Sequence, residues 1–62
     1  MRALMSIIEI RKVLFDTDNT VIVNSVKMSN AQARGFLYVF LNQDKIVKVI
    51  TIDSCMHIWL VD

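Results

Sequence analysis

The sequence predicts a small all-β protein, a four- to five-stranded antiparallel meander that is curled or barrel-like. Val, Ile and Thr, whose β-branched side chains favour a pleated surface, supply 19 of the 62 residues, against one Glu and three Ala. Apolar residues fall on both faces of almost every strand-like segment. The segments are separated by short clusters of Asp and Asn, which form turns readily. A meander needs only local connections, which suits so short a chain.

The predicted strands are the apolar segments in chain order: 6–15, 20–27, 36–41, 46–52 and 53–61. Turns are predicted at 16–19 and 42–45, and the second of these closes a hairpin between apolar flanks. Residues 53–54 are either a tight turn or a bend in a continuous strand. The whole chain, 1–62, is predicted to be a single domain, with residues 1–5 as a candidate disordered extension.

The segment from 28 to 41 has two interpretations. Ser29 or Asn30 could cap a helix, and several apolar residues after them have roughly helical spacing. Gly35 would lie in the middle of that helix, however, and the dense apolar run 36–41 suits a strand that is buried on both faces. We favour a loop or single helical turn followed by a strand. The alternative is an α+β fold with one helix at about 29–41 on an antiparallel sheet.

Size and composition indicate a homo-oligomer. A domain of this size buries only about 60% of the surface of its unfolded chain, so small domains often need disulfides, metals or oligomerisation. Cys55 is the one cysteine, which excludes an internal disulfide, and a protein-only zinc site would need about four ligands. No cofactor is predicted. A ribbon that is apolar on both faces either closes on itself or is covered by another copy.

Charge and hydropathy exclude several classes of protein. The net charge of +1 is far from the basic excess of a chain that binds nucleic acid mainly through phosphates. The longest uncharged apolar stretch, 36–41, is too short to span a bilayer, and the N-terminus lacks a signal-peptide pattern. An unpaired cysteine suits a reducing compartment, so the expected location is the cytoplasm.

The candidate chemistry lies in the last segment. In a strand, Asp53, Cys55, His57 and Trp59 would share one face. Cys55 and His57 are candidate metal ligands if a symmetric dimer combines two such pairs, but their spacing alone is not a recognised ligand motif. A Cys55–His57 nucleophile and base would also need an oxyanion hole and a cleft, so we predict no catalytic residues and no enzymatic activity.

The predicted function is therefore non-enzymatic binding. Trp59, His57 and Tyr38 are the candidate partner-binding residues, because aromatic residues are enriched at interfaces. We expect a homo-oligomeric inhibitor, adaptor or regulator that binds another protein through an aromatic β face or edge, a role that small phage proteins could fill. The alternative is an oligomeric small barrel that binds nucleic acid. Its candidate polyanion contacts are Arg11, Lys12, Lys27, Arg34 and Lys48.

Overall fold

The structure, a computed structural model, describes residues 2–61 as two helices packed on one face of a five-stranded sheet. The elements in chain order are β1 (Arg2–Ser6), α1 (Ile7–Phe15), β2 (Val21–Val23), β3 (Val26–Met28), α2 (Asn30–Tyr38), β4 (Ile46–Ile52) and β5 (Cys55–Val61). The candidate extension at 1–5 therefore contributes to β1 from residue 2 onward.

The sheet is mixed and open. Its strand order is β1-β4-β5-β2-β3, so β1 and β3 form the two edges. Strand β2 runs parallel to β5, and the other neighbouring strands are antiparallel. The predicted all-β meander, curled or barrel-like, is thus wrong: the fold is α+β, and the sheet does not close on itself. A parallel pair needs a long crossover, and here β3, α2 and β4 lie between β2 and β5 in the chain.

The predicted first strand, 6–15, is wrong because most of it forms helix α1. The hydroxyl of Ser6 accepts a hydrogen bond from Glu9 N at 3.1 Å, and the Glu9 carboxylate accepts one from Ser6 N at 3.4 Å. This reciprocal capping box starts the helix. Ile7, Ile10 and Leu14 then fall on one side and are buried. Capping and helical spacing outweigh the β propensity of the isoleucines.

The preferred interpretation of 29–41 is also wrong, and the helical alternative is nearer to the structure. A second capping box, between Ser29 and Gln32, starts α2, which buries Ala33 and Leu37. Gly35 is exposed and a Cβ there would meet nothing within 4 Å, so it does not interrupt packing. The predicted hairpin at 42–45 is wrong, because turns over 39–44 join α2 to β4 instead.

Two tight hairpin turns contain the left-handed backbone that the sheet requires. Asn24 and Ser25, with φ of 48° and 68°, split the predicted strand 20–27 into β2 and β3. Asp53 and Ser54, with φ of 51° and 64°, join β4 to β5. Positive φ at both central residues is the requirement of a type I′ hairpin turn, and Asn and Asp tolerate it better than most residues. The strand predicted at 46–52 matches β4.

The hydrophobic core lies between the helices and one face of the sheet. It consists of residues that are at most 7% exposed: Ile7, Ile10, Leu14, Val21, Val23, Ala33, Leu37, Val47, Val49 and Ile58. The side-chain amide of Asn30 donates to the carbonyls of Leu14 and Thr17, which ties the end of α1 to the start of α2. Neither of the nine-residue helices in the described chain is long enough to cross a membrane.

Candidate protein-binding surface

The face of the sheet that points away from the helices, here called the open face, is largely apolar. The strand registers place its residues in rows across the sheet, because directly paired residues share a face. The described side chains of the open face are Leu4, Ser6, Ile22, Lys27, Ile46, Lys48, Ile50, Ile52, Cys55, His57, Trp59 and Val61.

Several aliphatic side chains of the open face are strongly exposed. Leu4 is 68% exposed, Ile46 46%, Ile52 49% and Val61 37%. Ile22 and Ile50, nearer the middle, are half-buried. Scattered apolar residues are normal on a protein surface, whereas large contiguous apolar patches are typical of interaction or ligand-binding surfaces.

Trp59 lies near the centre of the open face in a column of three stacked groups. The Lys48 ammonium is 5.1 Å from the centroid of the Trp59 ring, and the His57 ring is 5.9 Å from it with planes inclined by 25°. The sheet register causes this arrangement: Lys48 is paired directly with Trp59 across β4 and β5, and His57 is two residues before Trp59 on β5. The cation and the indole ring attract each other, which orders both side chains.

The three predicted partner-binding residues do not lie together. Trp59 and His57 are neighbours on the open face, whereas Tyr38 lies at the end of α2 on the opposite side of the molecule and is 62% exposed. The sequence interpretation missed the aliphatic members of the open face on β4. The alternation of residues 46, 48, 50 and 52 with buried Val47 and Val49 could have identified them.

The five candidate polyanion contacts are divided between the two sides of the protein. Lys27 and Lys48 belong to the open face, and Arg11, Lys12 and Arg34 belong to the helices. The fold therefore does not combine these five into one continuous basic platform. It does bring Arg11 and Arg34 together, because the Arg11 Nε donates to the Arg34 carbonyl at 3.2 Å.

Cys55 and His57 both lie on the open face, but Asp53 leaves the predicted row because it is part of the turn. Cys55 is a free, half-buried thiol. Within residues 2–61, no cluster of three or more His, Cys, Asp or Glu side chains is placed to hold a metal ion. A site shared between two copies stays a prediction.

The described part of the chain has no detectable surface pocket. The open face is thus a broad, shallow surface rather than a cleft. Comparison with known proteins does not add to this description: no family model, no curated protein and no solved structure matches the chain.

Proposed function

We propose that this protein is a non-enzymatic protein-binding module that assembles as a homodimer through its open face. The dimer leaves both helical sides available to another protein, as an adaptor, inhibitor or regulator requires. The observation that supports the proposal is the exposed aliphatic surface around Trp59. A free thiol on this surface suits the reducing cytoplasm, where we place the module.

The size of the open face reaches the lower limit for a specific dimer interface. The 25 strand residues, at about 3.3 Å rise and about 4.8 Å strand spacing, cover roughly 400 Å² in projection. The accessible area of a corrugated surface exceeds its projection, so two copies would bury on the order of 1,000 Å², which is the lower end of biological interfaces. Two sheets in face-to-face contact pack about 10 Å apart, with the helices outside.

The chemistry of the open face fits a second copy. A small domain has little stability to spare, and covering Ile50, Ile52 and their neighbours would add buried apolar area without any new segment. The charge of Lys48 is the main obstacle near the centre. A two-fold axis through the paired residues Ile50 and His57 would place the two Lys48 residues on opposite sides, about 14 Å apart along the sheet.

The test is sedimentation of the wild type and of two aspartate variants over a range of micromolar concentrations. Ile50→Asp puts a carboxylate at the centre of the open face, and Val39→Asp puts one at a residue that follows α2 and is 68% exposed. We expect the wild type and Val39→Asp to form dimers, and Ile50→Asp to be monomeric with unchanged circular dichroism. A monomeric wild type, or two variants with equal dissociation constants, would contradict the proposal.

Nucleic-acid binding is a second candidate, which the stacked column of Lys48, Trp59 and His57 favours. Single-stranded nucleic acids stack their bases on aromatic side chains beside cations. The surrounding aliphatic residues favour protein over nucleic acid. Trp59 is the single tryptophan, so its fluorescence reports on this surface directly. Saturable quenching by an oligothymidylate, weakened steeply by salt, would support this second function over the first.

A further inference from the structure

We propose that the exposed surface where α1 and α2 pack together is a second binding site, which takes an acidic side chain of a partner protein. The site consists of Arg11, Phe15, Arg34 and Tyr38, here called the arginine cluster. It lies on the helical side of the molecule, and it exists whether or not the open face forms a dimer. The inference therefore goes beyond the proposed dimer and is tested separately.

Helix packing creates the arginine cluster from two pairs of residues. Arg11 and Phe15 are one turn apart on α1, and Arg34 and Tyr38 are one turn apart on α2. The Arg34 guanidinium carbon is 4.1 Å from the Phe15 ring centroid, so it stacks closely on this ring. The Arg11 guanidinium carbon is 5.8 Å from the same centroid and 5.1 Å from that of Tyr38.

Both guanidinium groups lie against the Phe15 ring, and neither has a counter-charge among the described residues. Each guanidinium group has five N–H donors. Among the described residues, only the Arg11 Nε donor has a protein acceptor, which is the Arg34 carbonyl. Arg34 Nε is buried without a protein acceptor, and neither side chain has an ion pair within residues 2–61. Both arginines are half-buried, which strengthens their attraction for an anion relative to a fully solvated pair. The remaining N–H donors of each planar guanidinium group have the geometry to bind a carboxylate or a phosphate group.

The surroundings of the cluster favour an acidic protein segment over nucleic acid. Phe15 and Tyr38 are 61% and 62% exposed, so they offer apolar contact beside the charges. Arg and Tyr in such a combination are typical of protein-interface hot spots. A nucleic acid needs several phosphate contacts in a row, whereas Lys12 is the one further cation on α1, and the net charge is +1. A glutamate, an aspartate or a phosphorylated side chain presents the same oxyanion chemistry.

The experiment is a nuclear magnetic resonance titration of the ¹⁵N-labelled protein that follows the Nε–Hε signals of Arg11 and Arg34. The probes are a hexaglutamate peptide, a hexaglutamine peptide, a phosphoserine peptide of equal length and an oligothymidylate. We expect saturable shifts at both arginines with hexaglutamate or the phosphoserine peptide, and none with hexaglutamine. The ratio of the two affinities separates a carboxylate from a phosphate source. Absence of saturable shifts with both acidic peptides, or tighter binding of the oligothymidylate at these arginines, would overturn the proposal.

Variants separate a binding role from a structural one. Arg11→Gln and Arg34→Gln should each weaken hexaglutamate binding about tenfold, the effect of losing a charge-assisted hydrogen bond. Lys27→Gln removes the same charge from the open face and should retain most of the affinity. Arg34→Lys retains the positive charge but loses the planar set of N–H donors, so its affinity for hexaglutamate should be intermediate. Thermal unfolding confirms that each variant folds; equal losses in Arg11→Gln and Lys27→Gln would show a net-charge effect and sink the proposal.

Discussion

The two faces of the sheet have similar side chains and opposite surroundings. Along β4, Val47 and Val49 are 0% and 7% exposed under the helices, whereas Ile46 and Ile52 on the open face are 46% and 49% exposed. Isoleucine gains as much as valine from burial, so residue type does not decide which face becomes the core. The two helices decide it, because they cover one face, and no other described element of the chain covers the opposite face.

Polar groups distinguish the two faces more clearly than hydrophobicity does. No polar or charged residue is buried in the described chain, so the side chains buried on the face under the helices, here called the covered face, are all apolar. The open face instead contains Lys48, His57 and Cys55 among its aliphatic residues. Interfaces between proteins combine apolar anchors with polar groups in this way, whereas the interior of a small domain avoids unpaired polar groups.

The largest effect should come from truncation on the covered face. Ile58, on the central strand β5, is fully buried, so Ile58→Ala should lower the free energy of unfolding by about 2–5 kcal/mol. Ile52→Ala, half-exposed on the open face, should cost less than about 1 kcal/mol in the monomer. Urea denaturation in the monomeric Ile50→Asp background measures both changes. Equal decreases in the free energy of unfolding would contradict the conclusion that only the covered face forms the core.

The next effect concerns assembly rather than folding. Trp59→Ala should raise the dimer dissociation constant by about thirtyfold, the effect of a hot-spot loss of about 2 kcal/mol. Tyr38→Ala removes an aromatic residue from the helical side and is the matched control, with the dissociation constant unchanged. Sedimentation at several concentrations measures both. A similar change in the two variants would place the interface elsewhere.

The helix caps test what stabilises the two helices that cover the sheet. Ser6→Ala and Ser29→Ala each remove a side-chain acceptor from a capping box, so each should lower the free energy of unfolding by about 1 kcal/mol. Ser6→Asp retains an acceptor and should cost little. Urea denaturation again gives the values. If Ser6→Ala and Ser6→Asp were equally stable, the capping box would contribute nothing measurable to α1.

The caps also show which part of the fold the sequence could predict. Ser6 with Glu9 three residues later, and Ser29 with Gln32, match the capping-box pattern, whereas the β-branched composition favours strands. Composition is a sum over the chain, whereas a helix start is a local hydrogen-bonding pattern. The turn at residues 24–25 is harder to predict from the sequence, because it lies inside a largely apolar segment and has no glycine.

The candidate site was predictable where it depends on one strand alone. Trp59 and His57 share a face because side chains alternate along β5, whatever lies on either side. The predicted strand 36–41 puts Tyr38 with them, whereas the structure places Tyr38 at the end of α2, on the other side of the molecule. The contact between Arg11 and Arg34 joins residues 23 positions apart, so it depends on how the helices pack, which no local pattern contains.

The smallest effect, with opposite signs in monomer and dimer, should come from Lys48→Met. In the monomer, measured below the dimer dissociation constant, loss of the contact between the ammonium and the Trp59 ring should lower the free energy of unfolding by about 0.5–1 kcal/mol. In the wild-type background the same change should tighten the dimer, because an ammonium group no longer has to be desolvated. Lys12→Met, at an exposed position on α1, is the control and should leave both quantities nearly unchanged.

The two signs make this small prediction informative. If Lys48→Met weakened the dimer, the ammonium would have an oxygen acceptor across the interface, and a face-to-face arrangement of two apolar surfaces would not describe the contact. If it tightened the dimer while destabilising the monomer, Lys48 would order Trp59 in the free protein at a cost to assembly. A side chain that stabilises the free monomer and costs free energy on association would limit self-association, and so help to set the concentration at which the dimer forms.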